Sequence, residues 1–111
     1  MSKALVAKIR KARERVVEVA GHKYTVRRPT DEYVVFQKAP ERVDFLREVV
    51  VGWDLQEIDL IPGGSPEPVA FTPELWAEYI VDHPELWEPL GLAAIEGYNE
   101  FVKARDDSAK K

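Results

Sequence analysis

The chain has 111 residues, 45% of them hydrophobic and 32% charged, with no cysteine and a net charge of -4. That length supports one core and not two, and the composition is that of a globular domain rather than a disordered chain. The lack of cysteine excludes disulfides, thiolate metal sites and thiol nucleophiles. No apolar run approaches the roughly 20 residues of a membrane span, and the start MSKALVAKIRKARER lacks a secretory signal's long apolar stretch, so a soluble, cytoplasmic protein is expected.

The charge is divided along the chain. Residues 1–28 carry nine Lys or Arg against Glu14 and Glu18, or +7, and the remaining seven basic and eighteen acidic residues give -11. Such asymmetry suits a solvated basic arm, a nucleic-acid contact, or a contact between the basic end of one copy and the acidic part of another.

Residues 3–13 place Leu5, Val6 and Ile9 at helical spacing among Lys and Arg, which predicts a short basic amphipathic helix. RVVEVAGHKYTVRRP predicts a β-hairpin turning at Gly21-His22 in type II′, with Val19 opposite Tyr24 and Val17 opposite Val26 on an apolar face, and Glu18 and Thr25 on the other. Pro29 ends the second strand, and Thr30-Asp31 reads as the cap of a helix through EYVVFQKA that Pro40 stops. Glu41 to Val51 then lines Val43, Phe45, Leu46, Val49 and Val50 along one helical side. Gly52 is expected to close this helix, with Trp53 folding back on its last turn.

Asp54 to Pro68 holds Gly63-Gly64 and three prolines, so an extended surface loop is expected there. PELW follows twice, at Pro73–Trp76 and Pro84–Trp87. Two copies do not make a solenoid, and an interior proline would break a helix carrying both. Each therefore reads as a helix start, capped by Thr72 and by Asp82 or His83, with Trp76 and Trp87 packing the junction of two short helices. A last helix is expected from about Pro89 to Arg105, with Leu90, Ala93, Ala94, Tyr98, Phe101 and Val102 on its apolar side. Residues 106–111 read as a solvated tail. The predicted class is mainly α (α+β): one domain over residues 1–111, with a basic arm at 1–13, an N-terminal β-hairpin and a small bundle of about four to five short helices with a long Pro/Gly loop.

Candidates for chemistry are few. His22 and His83 read as turn and cap residues, and two histidines without cysteine do not suggest a transition-metal site. Asp54, Glu57 and Asp59 lack the ligand spacing of a calcium loop, and Gly63-Gly64 leads into no phosphate-binding motif. The expectation is a non-enzymatic protein without metal or cofactor. A binding role divides the aromatic residues Trp53, Trp76, Tyr79 and Trp87, the candidate partner-binding residues, between the core and a partner groove beside the Asp54–Pro68 loop, with all three tryptophans as plain core residues the alternative. Arg27 and Arg28, at the basic hairpin end, are candidate subunit contacts in a head-to-tail homo-oligomer. Nucleic-acid binding through residues 1–28 ranks lower, because Tyr24 is the lone aromatic among the basic residues and no recognition helix is evident.

One resemblance covers most of the chain, from about Glu14 to Arg105. In order come a hairpin followed by Arg27-Arg28-Pro29-Thr30, a Val50-Val51-Gly52-Trp53 turn, an acidic Pro/Gly loop, a Phe71-Thr72-Pro73-Glu74 helix start, an Asp82-His83-Pro84 second start, and a last helix with Ala and Tyr. This succession resembles the tail assembly chaperones of long-tailed (siphovirus-like) bacteriophages. The resemblance implies a mainly helical, non-enzymatic protein of the infected host's cytoplasm. Such a protein binds the tape measure protein, keeps it soluble, helps recruit tail tube subunits through a longer frameshifted product, and is absent from the mature virion. Ala109-Lys110-Lys111 can be encoded by a slippery A-AAA-AAG heptamer, the expected frameshift point. The alternatives are a structural tail or head-tail joining protein, and a small nucleic-acid-binding regulator using residues 1–28.

Overall fold

The computed structural model describes residues 2–36 and 42–109. In chain order they form α1 (Ser2–Ala12), β1 (Glu14–Val19), β2 (His22–Arg27), α2 (Asp31–Phe36), α3 (Arg42–Val49), β3 (Val50–Trp53), α4 (Glu57–Leu60) and α5 (Pro73–Ile80). A single 3₁₀ turn, Pro84–Leu86, then leads into α6 (Trp87–Ala109). The mainly helical α+β class expected from the sequence is the one observed.

The sheet is antiparallel in the order β1-β2-β3. Its inner face carries Tyr24, Val26 and Val50, all buried, against Leu46 and Val49 of α3, Trp76 and Ile80 of α5, and Leu90 and Ala94 of α6. The alternation of β1 and β2 leaves Val16 and Glu18 outward and Val17 and Val19 inward, because side chains switch faces at every residue. The hairpin is present with the expected faces, but its pairing differs. Val17 lies opposite Tyr24 and Val19 opposite His22, so the turn is Ala20-Gly21 rather than Gly21-His22. Both turn residues have positive φ, 52° and 83°. Positive φ at both central residues is the type I′ requirement and not that of type II′, which needs it only at the first; both match the strand twist where types I and II would splay the strands. Ala20 holds a left-handed conformation that costs a side-chain-bearing residue about 1 kcal/mol. Ala20→Asn is therefore expected to raise the urea midpoint, by about 0.5–1 kcal/mol of stability, without altering the slope of the transition.

The second correction lies at the end of α3. The expected helix to Val51 stops at Val49, and Val50–Trp53 is a strand on the free edge of β2. β-Branched residues suit a pleated surface, and β2 would otherwise leave a row of backbone groups unpaired. Gly52 is not a left-handed helix cap. It lies opposite Thr25, where a Cβ would meet Thr25 Oγ1 at 3.0 Å and Thr25 Cβ at 3.1 Å. The register slips beside it, with Val26 paired to Val50, so Val51 forms an irregularity that bends the strand.

The third correction concerns the Pro/Gly stretch, which is an ordered strap rather than an extended loop. Val69 N donates to Leu55 O (3.0 Å), Glu57 N to Glu67 O (3.0 Å) and Ile58 N to Ser65 O (2.9 Å), so the two limbs are cross-tied. Within it the Asp59 carboxylate accepts from Gln56 N at 2.8 Å and starts α4. Gly63, at φ 84°, and Gly64 make the return.

Thr30 and Thr72 cap α2 and α5 as expected, their hydroxyls accepting from Tyr33 N (3.2 Å) and Leu75 N (3.1 Å). The two PELW copies diverge. The first opens α5, whereas the second is a 3₁₀ turn continuous with α6, which runs past the expected Pro89 start and Arg105 end. Pro89 sits in the first turn of α6, where its missing N–H has no intrahelical partner to lose. Asp106 to Ala109 are helical and not a tail, while Lys110 and Lys111 lie outside the described residues, as do Gln37 to Glu41 with the expected Pro40 break.

Candidate functional site

Tyr24, Trp53, Phe71, Trp76 and Tyr79 form one aromatic cluster. Trp76 is 0% exposed, with Tyr24, Trp53, Tyr79 and Phe71 around it at ring-centroid distances of 5.9, 6.3, 6.2 and 6.4 Å. Trp53, Tyr79 and Trp87 are half-buried against the same cluster. Each indole N–H donates to a backbone carbonyl of the chain itself: Trp53 to Val69 (2.8 Å), Trp76 to Leu46 (3.0 Å) and Trp87 to Ile80 (2.8 Å). A buried indole needs such a partner, and each bond ties two segments together. Trp53 anchors the strap, Trp76 fixes α5 to α3, and Trp87 satisfies the last carbonyl of α5, so the junction packing expected of the second PELW is realised. Burial, and then the neighbouring Tyr79, push the Tyr24 hydroxyl well above the usual tyrosine range. Burial likewise raises Tyr79. His83 stacks on Tyr79 at 3.8 Å, with Nδ1 2.7 Å from Tyr79 O.

The structure brings His22 between two carboxylates that are far from it in sequence. Its Nδ1 is 3.5 Å from Asp54 and its Nε2 3.4 Å from Asp59, while Asp54 Oδ1 also accepts from Lys23 N at 3.0 Å. These contacts clasp the strap to the hairpin. No sequence signal identified this arrangement, because it depends on β3 delivering Asp54 beside the turn. Among the described residues, no group of three or more His, Cys, Asp or Glu is placed to hold a metal.

The basic residues divide into engaged and free sets. Arg27 binds Glu48 through its carboxylate (2.7 Å) and its carbonyl (3.0 Å). Arg28 lies over the Phe101 ring, 3.5 Å from its centroid, and donates to Pro29 O at 3.1 Å. Arg15 pairs with Glu100 on α6. The two arginines expected at a subunit contact are thus held within their own chain. By contrast Lys3, Lys8, Arg10 and Lys11 stand on α1, every residue of which is exposed.

A second clasp ties α2 to α6. The Asp31 carboxylate accepts from the Tyr98 hydroxyl at 2.7 Å and from Arg105 at 2.6 Å. The Tyr98 hydrogen bond, then Arg105, hold Asp31 below the usual carboxylate range, and the same hydrogen bond raises Tyr98. A carboxylate whose pKa is lowered by folding stabilises the fold above its unfolded pKa and loses that contribution as pH falls through the folded value. Acidification below the ordinary carboxylate range is therefore expected to loosen α2 from α6 without global unfolding, since Asp31 is well exposed. Asp31→Asn should remove that acid-dependent step, read as the pH dependence of Tyr98 ring shifts.

Large apolar side chains are nonetheless held outward on ordered backbone. On α1 these are Leu5 (60% exposed), Val6 and Ile9, on the strap Ile58 (50%) and Ile61 (59%), and on α6 Leu92 and Ile95. Sequence spacing identified the first set. It missed the strap pair, whose orientation follows from the cross-ties, and the α6 pair, which lies opposite the apolar side expected of that helix. Among the described residues no helix is long and apolar enough to cross a membrane. The chain matches no known family model, no curated protein and no solved structure.

Proposed function

We propose that this chain is a phage tail assembly chaperone, which binds the tape measure protein in the cytoplasm of the infected host, keeps it soluble and helps recruit tail tube subunits. The ordered succession of motifs from Arg27-Arg28-Pro29-Thr30 to the last helix supplies the family resemblance. The observation that carries the binding role is the strap: Ile58 and Ile61 are exposed on a segment whose backbone is already hydrogen-bonded. An apolar client helix docking on a pre-ordered surface avoids the entropy of ordering that surface. In this reading the client contacts Ile58 and Ile61. Trp53, Trp76 and Tyr79 pack beside the strap, and Trp53, Trp76 and Trp87 spend their indole N–H groups on carbonyls of their own chain.

The test is co-expression with the tape measure protein of the same genome, followed by solubility and co-purification assays. The wild type should raise the soluble fraction of the tape measure protein, and Ile58→Lys with Ile61→Lys should abolish co-purification while shifting the unfolding midpoint little, because at least half of each residue is already exposed and a lysine stem can lie along the same surface. An insoluble client, together with this chain present in finished particles, would instead make it a structural tail or head-tail joining protein.

A further inference from the structure

Helix α1 has 11 residues and, among the described residues, buries none of them. A helix this short is marginal in water without tertiary packing, because nucleation is costly and helices below about 12–15 residues gain too little in return. Its surface is nevertheless organised. Leu5, Ile9 and Ala12 follow the i, i+4, i+7 spacing with Val6 beside them, while Lys3, Lys8, Arg10 and Lys11 occupy the remainder, with no acidic residue in the helix. This is one half of an amphipathic, positively charged contact.

The complementary half lies in the same sequence. Residues 73–96 contain Glu74, Glu78, Asp82, Glu85, Glu88 and Glu96 and no Lys or Arg. Within them α6 turns Leu90, Ala93 and Ala94 to the core and exposes Leu92 (50%) and Ile95 (46%). Leu92 and Ile95 are one turn apart, with Glu88 and Glu96 four residues before and after Leu92, so the apolar ridge is bounded by carboxylates, of which Glu96 also faces Arg15 of its own chain at 3.9 Å and is still 69% exposed. Gly91 adjoins the ridge, and a Cβ there would meet nothing within 4 Å. At 1.5 Å per residue α1 is about 16 Å long, close to the length of α6 from Glu88 to Asn99.

We infer that α1 of one copy docks on the outer face of α6 of a second copy, with Leu5 and Ile9 against Leu92 and Ile95 and the α1 lysines and arginine among Glu88, the acidic surface of α5 and the exposed side of Glu96. The chain's own α6 does not take this role. Residue Arg13 joins α1 directly to β1, β1 is held on α6 by Arg15 through Glu96 and Glu100, and every residue of α1 is exposed, so α1 does not cover Leu92 or Ile95 of its own chain. Donor and acceptor are different surfaces, so the contact is either exchanged reciprocally in a two-fold dimer or repeated head-to-tail, propagating or closing into a ring. The inference stands on this chain's charge and shape alone and is independent of the client's identity.

Sedimentation velocity and light scattering on the full-length protein test it through complementation. The donor-dead variant Leu5→Glu/Ile9→Glu and the acceptor-dead variant Leu92→Lys/Ile95→Lys change exposed residues only, and unchanged circular dichroism confirms folding. Wild type is expected to self-associate with a salt-sensitive mass distribution. Each variant alone should be monomeric, its apparent dissociation constant weakened at least about tenfold. A mixture of the two should stop at a 1:1 heterodimer, because each partner retains one functional surface. A wild type that stays monomeric at high concentration overturns the inference, as do association unaltered in either variant and binding of a monomer to anionic phosphatidylglycerol vesicles through α1.

Discussion

Trp76→Ala is expected to cost about 3–5 kcal/mol, the range for removing a large buried aromatic, and to leave the protein at or beyond the edge of folding at ordinary temperature. Trp76 is 0% exposed, its ring is surrounded by Tyr24, Trp53, Phe71 and Tyr79, and its N–H holds the carbonyl of Leu46 at 3.0 Å. The substitution therefore opens a cavity where the sheet, α3 and α5 meet, and it also strips a buried carbonyl of its donor. Trp76→Phe separates the two effects: it keeps most of the ring volume but not the N–H, and should cost about 1–3 kcal/mol. Trp87→Phe loses only a half-buried donor to Ile80 O and should cost less than Trp76→Phe. Urea unfolding followed by circular dichroism gives all three values. An alanine variant within 1 kcal/mol of wild type would mean that Trp76 is not the centre of the core, and would return it to the candidates for partner contact.

The contrast between the two PELW copies shows what local sequence conveys and what it does not. Both were legible as helix starts, because proline after a capping position has a local physical meaning. Their different outcomes depend on what lies beneath: Trp76 enters the core against Tyr24, while Trp87 reaches back to the end of α5. Val49-Val50-Val51 was ambiguous in the same way. Read alone it continues the apolar side of α3, and only the vacant edge of β2, more than twenty residues earlier, makes a strand of it. The hairpin faces were legible from alternation, but not the pairing, which rests on Ala20 accepting a positive φ. Among candidate site residues, the exposed face of α1 followed from spacing. The His22 clasp and the outward turn of Ile58 did not, because both are set by pairings between distant segments.

Gly64→Ala is expected to open the strap while the core stays folded. A Cβ at Gly64 would lie 2.8 Å from Glu57 O and 2.9 Å from Glu57 C and Cγ. The clash is with backbone as well as side chain, and Glu57 is held in place by its own N–H bond to Glu67 O, so it cannot recede without breaking the tie that closes the strap. Overpacking of this kind costs about 1–3 kcal/mol, but the molecule can avoid the full cost by releasing the strap locally, since segments of small buried area open at lower free energy than the whole fold. Loss of protection should accordingly concentrate at the amides of Ile58, Ser65 and Val69, which donate across the strap, with Trp76 still buried. Gly63→Ala is the informative comparison. Nothing lies within 4 Å of its would-be Cβ, and only the φ of 84° opposes the substitution, at about 1 kcal/mol. It should therefore weaken protection less than Gly64→Ala. Equal hydrogen-exchange rates in wild type and Gly64→Ala would show that the strap tolerates rearrangement and is not a fixed platform. Selective opening of the strap accompanied by loss of tape measure co-purification would instead tie client binding to its order, because Ile58 and Ile61 remain present in that variant and only the backbone that positions them has changed.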